Sequence, residues 1–176
     1  MLFRSPADER QKIAEQMSGY TGLPVQFLIE SDLRVELRRF LKEELRDQRR
    51  TLGRYDARFQ GIDVDAAGEG TEFDPSDTGI TGAFVSSFHD YITHDLGYDT
   101  QLTYRPTYYS NGLSWSFTHR APNARGPGGT NQADVAQDLS AAMRENPHLM
   151  VYSLNGLYDM ATPFFGTEYE DRKSVV

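Results

Sequence analysis

The fold prediction depends on one stretch, His148-Leu-Met-Val-Tyr-Ser-Leu-Asn-Gly-Leu-Tyr-Asp159-Met-Ala-Thr-Pro-Phe-Phe165. Its first part, Leu149 to Leu154, is a short apolar run between chain-breaking residues, which is typical of a buried strand. Asn155-Gly156 predicts a turn, because both residues adopt positive φ at little cost. Thr162-Pro163 predicts the start of a helix. Asp159 is therefore expected in a loop after the carboxyl end of a strand, where α/β sheets gather catalytic groups.

The residues before this stretch predict the helix that precedes the strand. Val135, Leu139 and Met143 are spaced as one apolar helical face, Asn131 is the expected N-cap, and Asn146-Pro147 ends the helix. A helix, a strand, a loop and a second helix in this order indicate part of an α/β sheet. By pattern alone, an aspartate in such a loop is more often a cap or turn residue than a catalyst.

Several separated blocks of the chain resemble one enzyme family. Leu149 to Phe165 is similar to the acid-bearing segment of the serine carboxypeptidases (peptidase S10), a family with the α/β-hydrolase fold. Leu33 to Lys42, Arg49 to Phe59 and Gly61 to Asp65 resemble the insertion region of its bacterial members. The blocks agree in order, and the resemblance covers about residues 10 to 169.

The resemblance implies a fold and an activity. Residues 1–130 would form a mainly helical cap insertion, residues 131–170 a piece of the α/β-hydrolase core with the acid loop, and residues 171–176 a tail. Asp159 would be the triad acid, which orients a histidine and stabilises its imidazolium form. The implied reaction is hydrolysis of C-terminal residues from a peptide substrate through an acyl-enzyme, without a metal or organic cofactor.

The chain departs from the family pattern in one respect. No G-x-S-x-G nucleophile elbow occurs, and no histidine follows His148, although the fold orders its triad as serine, acid, histidine. We therefore expect an internal fragment that carries only Asp159 of the triad and is inactive alone. Adjacency suggests that Tyr158, Thr162 and Asn155 position its loop.

Two other functions remain open from the sequence. One is a different α/β-hydrolase, such as an esterase, that uses the same acid loop. The other is a non-catalytic peptide-binding module, because residues 98–119 are rich in aromatics that suit a binding groove: Tyr98, Tyr104, Tyr108, Tyr109, Trp115 and Phe117. The alternative is a purely structural role, in which these aromatics form a cluster packed under a long loop.

Composition excludes several classes of partner. The formal net charge is −8 and the pI is about 5.0, which argues against nucleic acid as a general partner. The chain has no cysteine, and no apolar run is long enough to span a membrane. The residues before Pro6 lack the apolar core of a signal peptide, so the compartment stays open, although the parent could be secreted or periplasmic.

Helical spacing and turn residues predict the remaining elements. Helices are expected from Ser5 to Gly19, from Pro24 to Glu30, from Ser31 to Arg50 and from Gly82 to Leu96, with a short strand or one arm of a hairpin over Thr51 to Gly61.

Two groups of charged residues are expected to be solvated. The basic side of the 31–50 helix, which includes Lys42, is interleaved with acids and so predicts a salt-bridged surface. The loop over residues 62–77 places Asp63, Asp65 and Asp74 with a partial likeness to a calcium-binding loop. Ala67 stands where that loop needs an oxygen ligand, which favours a solvated acidic loop over a calcium site.

Overall fold

The structure is a computed structural model that describes residues 6–106, 116–122, 124–126, 129–130 and 134–174. These residues divide into two compact units. One contains the chain up to Ser87 together with Tyr158–Ala161, and the other contains Phe88–Leu157 and the chain from Thr162 onward. The sequence predicts a cap region, a core region and a tail that meet at residues 130 and 170. This division of the chain stays a prediction.

The first unit is built around two helices, α1 (Ala7–Thr21) and α2 (Val25–Glu30). Their buried core consists of Ala14, Leu23 and Leu28. The expected end of α1 at Gly19 is wrong, because the helix continues to Gly22. Gly22 has φ 78°, and its N–H donates to the Ser18 carbonyl at 2.9 Å. This left-handed residue turns the chain into α2, whose start after Pro24 is as predicted.

Replacing Gly22 with alanine is expected to lower the free energy of unfolding by about 1–2 kcal/mol. A Cβ there would have a positive φ and would lie 2.5 Å from Glu44 Oε1. Gly19→Ala is the matched control: nothing lies within 4 Å of its Cβ position inside α1, so it should stabilise by about 0.5–1 kcal/mol. Urea denaturation followed by circular dichroism measures both. The same sign for the two variants would contradict this account.

The single helix predicted for Ser31 to Arg50 is wrong. The structure has a short helix, α3 (Leu37–Glu43), and a 3₁₀ turn at Arg46–Gln48. Asp32 and Leu33 have φ of 52° and 60°, which no helix accommodates. Leu33 donates its N–H to the Leu28 carbonyl at 2.9 Å and packs against the α1–α2 core. Burial of that side chain therefore outweighs local helix propensity.

A small antiparallel hairpin follows, so the short strand or hairpin arm predicted over Thr51 to Gly61 is instead two short strands at the ends of that range. Strand β1 (Arg50–Leu52) pairs with β2 (Gln60–Ile62), with Arg50 opposite Ile62 and Leu52 opposite Gln60. Thr51 is fully buried, and its hydroxyl donates to the Leu41 carbonyl of α3 at 3.2 Å. The hairpin is thereby fixed to α3.

The helix predicted for residues 82–96 begins earlier. α4 spans Pro75–Asp90 and continues into a π-helical turn, Tyr91–Asp95. Asp74 caps its start, since its Oδ1 accepts the Ser76 N–H at 2.9 Å. Gly97, with φ 60°, provides the predicted stop. Gly79 and Gly82 lower the helix propensity of the first turns of α4, so propensity does not indicate that the helix begins at Pro75.

The second unit contains α5 (Ala136–Glu145) and α6 (Phe164–Ser174), which contact each other. The predicted stop at Asn146-Pro147 and the predicted start after Thr162-Pro163 are confirmed. The expected tail is in part helical, since α6 extends through residues 171–174. The predicted N-cap at Asn131 is wrong, because α5 begins at Ala136 and Val135 is its N-cap. The aromatic residues Tyr108, Tyr109 and Trp115 lie outside the described residues.

The strand predicted for Leu149 to Leu154 does not form. These residues are irregular, and Met150, Tyr152 and Leu154 are 92%, 86% and 80% exposed. A strand needs a neighbour for its backbone N–H and C=O groups, and none of the described residues pairs with this segment. Within the described chain the only sheet is β1–β2, so the larger α/β-hydrolase sheet stays a prediction.

Candidate functional site

The loop that carries Asp159 is fixed to the chain between β1 and β2. Ala57 donates its N–H to the Tyr158 carbonyl at 2.9 Å, and Met160 donates its N–H to the Arg54 carbonyl at 2.9 Å. These two backbone hydrogen bonds lie on either side of Asp159. The position of its Cα is therefore restrained from both directions, although the loop has no regular secondary structure.

The Asp159 side chain also organises the loop locally. Its Oδ1 accepts the N–H of Ala161 at 2.8 Å, which is the geometry of an Asx turn. The residue is only partly buried. An anchored, accessible carboxylate can act as a hydrogen-bond acceptor for an imidazole N–H or as an electrostatic partner for a cation.

Arg58 adds a side-chain restraint to the same loop. Its guanidinium lies over the Tyr158 ring, 4.7 Å from the centroid, and bonds Asp56 through Nε at 2.9 Å and Nη2 at 2.6 Å. Hydrogen bonds from Arg58 hold the pKa of Asp56 below its usual value, so this pair stays charged at neutral pH. Asp56 thus orients Arg58, and Arg58 covers Tyr158.

The three residues proposed to position Asp159 have different surroundings. Tyr158 contacts the 54–58 segment through both its carbonyl and its ring. Asn155 instead donates to Ser153 Oγ at 2.9 Å and accepts from Thr167 Oγ1 at 2.8 Å. Thr162 makes a noncovalent contact of its own. The role of Tyr158 gains a geometric basis, whereas the roles of Asn155 and Thr162 stay predictions.

The sequence interpretation missed a buried ionic cluster at Lys42. This side chain is fully buried instead of lying on a solvated face. Its ammonium donates to Asp63 Oδ1 at 2.7 Å, to Glu72 Oε1 at 3.0 Å and to the Asp65 carbonyl at 2.5 Å. The cluster fastens the acidic loop to α3. The acidic loop over residues 62–77 has no basic residue of its own. This was the only feature of the sequence that pointed to a basic partner elsewhere in the chain.

The same contacts change the description of the acidic loop. Asp63 is 3% exposed, so it is not a solvated acid, and the Lys42 ammonium neutralises it. Asp74, the last acid of the calcium-like spacing, caps α4 instead. No group of three His, Cys, Asp or Glu side chains in the described part of the chain is placed to hold a metal ion.

The second unit contains one histidine–aspartate pair. His119 Nε2 lies 2.7 Å from Asp138 Oδ2, and the His119 backbone exchanges two hydrogen bonds with Thr130. This side-chain contact joins the bridge to α5. An imidazole beside a carboxylate is half of a general-base arrangement. The described contacts bring no serine or threonine hydroxyl to this imidazole, so a structural role explains the pair.

Comparisons with protein-family models, with curated proteins and with solved structures give no match to this chain. Among the described residues, no helix has the length and apolar character needed to cross a membrane.

Proposed function

We propose that this chain supplies the acid of a serine-type carboxypeptidase triad, and that Asp159 is that acid. The observation that carries the proposal is the anchored loop. Backbone hydrogen bonds to Arg54 and Ala57 fix both sides of Asp159, while the residue is only partly buried. A triad acid needs this combination, because it must orient an imidazole without moving itself.

The proposed reaction removes C-terminal residues from a peptide through an acyl-enzyme. Asp159 accepts the N–H of the catalytic histidine and stabilises the imidazolium formed when the serine is deprotonated. The serine, with its elbow, and the histidine belong to sequence on either side of these 176 residues. The helical first part of the chain serves as the cap of an α/β-hydrolase, and no cofactor takes part.

Exposed apolar residues support the view that further chain completes the fold. After Ser76, no described residue is buried. The predicted strand over residues 149–154 has apolar side chains exposed to solvent, and no other described segment pairs with it as a strand. In the proposed parent, neighbouring strands of a larger sheet pair with this segment and cover its two faces.

Sequencing the DNA on both sides of the reading frame tests the proposal. The expected result is an in-frame Gly-x-Ser-x-Gly elbow upstream and an in-frame histidine segment downstream. The isolated chain should form no covalent adduct with a serine-directed fluorophosphonate. Stop codons and a promoter directly bounding the frame, or an adduct on the purified chain, would reject the proposal.

The isolated 176-residue chain is expected to bind the apolar dye ANS and to associate as its concentration rises. Exposed side chains such as Met150, Tyr152 and Leu154 provide the surface. Fluorescence and sedimentation velocity measure the two effects. A monomer that binds no ANS and binds peptides without cleaving them would favour the non-catalytic binding module, and a flanking elbow with ester but no peptide hydrolysis would favour an esterase.

A further inference from the structure

The β1–β2 hairpin carries an open, shallow cleft with a volume of about 530 Å³. Four residues line it: Arg50, Arg58, Phe59 and Gln60. Arg50 begins β1, Gln60 begins β2, and Arg58 and Phe59 lead into β2. The volume lies within the range of small-molecule sites, which is about 300–1,000 Å³.

The charges at this cleft suit an anion. Two of its four lining residues are arginines, and none is acidic, although the whole chain has a net charge of −8. Asp56 engages Nε and Nη2 of Arg58, which leaves Nη1 outside that fork. Among the described residues, no acceptor or acid pairs with the Arg50 guanidinium. A free guanidinium fork binds a carboxylate through two parallel hydrogen bonds.

An aromatic ring supplies the apolar side of the cleft. Phe59 is 40% exposed, and its other side lies against α4 at Gly79, where a Cβ would be only 2.9 Å from the ring. The glycine thus lets α4 approach closely and hold the ring in place. The Gln60 amide adds one donor and one acceptor beside the ring.

We propose that this cleft binds a small organic acid, with its carboxylate on Arg50 and its apolar body on the Phe59 ring. The site also adjoins the Asp159 loop, because Arg58 both lines the cleft and covers the Tyr158 ring. The inference does not rest on the proposed peptidase function, since the binding residues all lie within this chain.

Titration calorimetry on the 176-residue chain tests the inference with N-acetyl-L-phenylalanine as the probe. N-Acetyl-L-phenylalaninamide, which lacks the charge, and N-acetylglycine, which lacks the ring, should each bind at least about fivefold more weakly. Arg50→Gln should weaken binding of the acid about tenfold. Arg49→Gln removes the same charge from the neighbouring residue, which does not line the cleft, and should change binding less than twofold.

Three results would overturn the proposal: no saturable binding of the acid, equal binding of acid and amide, or equal loss in Arg50→Gln and Arg49→Gln. The last result would mean attraction by net charge only. Arg50 is exposed, so thermal unfolding of its variant should match that of the unchanged chain. Each outcome is independent of whether flanking DNA encodes a nucleophile, so failure here and failure of the peptidase proposal are distinguishable.

Discussion

Replacing Lys42 with methionine is expected to lower the free energy of unfolding by about 3–5 kcal/mol. The Lys42 ammonium is fully buried and contacts Asp63 and Glu72. Methionine retains an unbranched side chain of similar size but no charge. It therefore leaves the buried Asp63 carboxylate without its counterion, and an unpaired buried charge costs several kcal/mol. Urea denaturation followed by circular dichroism gives the free energy directly.

Two further variants separate charge loss from volume change. Lys12→Met alters an exposed lysine of α1 and should change stability by less than about 0.5 kcal/mol. Adding Asp63→Asn to Lys42→Met removes the orphaned charge and should restore part of the lost stability. A cost for Lys42→Met no larger than that for Lys12→Met would show that the ion pair is not formed in solution.

The cluster also predicts a loss of stability at alkaline pH. Burial acts to lower the pKa of Lys42, but its hydrogen bonds and charge interactions with Asp63 and Glu72 outweigh this and raise the pKa above 10.5. A pKa that is higher in the folded state means that the stabilisation is complete below pH 10.5. It disappears as pH rises through the folded-state pKa. Above that pKa the neutral lysine leaves Asp63 without its counterion, so the free energy of unfolding of the unchanged chain should fall toward that of Lys42→Met.

Local chemistry explains which parts of the fold could be predicted. Proline and the turn residues act within a few positions, so the starts after Pro24 and Thr162-Pro163 and the stop at Asn146 were predictable. Lys42 was not, because its partner Asp63 lies 21 residues away, on the far side of the β1–β2 hairpin. A charged helical face looks the same whether solvent or an acidic loop covers it.

The candidate site shows the same limit. Sequence pattern placed Asp159 in a loop before a helix, and it lies there. The contacts that fix this loop, from Ala57 to Tyr158 and from Met160 to Arg54, use backbone atoms. Backbone hydrogen bonds between distant segments leave no residue-specific signal in one sequence. Among these contacts, only the stacking of Arg58 on Tyr158 depends on side chains. Neither residue type indicates in the sequence that it will contact the other.

In an active protein translated from the whole reading frame, Asp159→Asn is expected to lower kcat for release of a C-terminal residue by about 10⁴-fold. The amide keeps an Oδ1 that can accept the Ala161 N–H, which is 2.8 Å away in the structure. Loop geometry and substrate affinity should therefore change little. The amide cannot stabilise the imidazolium form of a catalytic histidine, and its N–H favours the wrong tautomer. Steady-state kinetics on a blocked dipeptide separates kcat from KM.

Two comparisons make this result specific to catalysis. Asp99→Asn changes an exposed acid elsewhere and should keep full activity. In the isolated chain, Asp159→Ala loses the Asx-turn acceptor and should cost about 1 kcal/mol of stability, whereas Asp159→Asn should cost less than about 0.5 kcal/mol. Full activity of Asp159→Asn would make Asp159 a turn residue only. A parallel loss of stability and activity in that variant would point to the same conclusion, because a triad acid affects kcat without unfolding its loop.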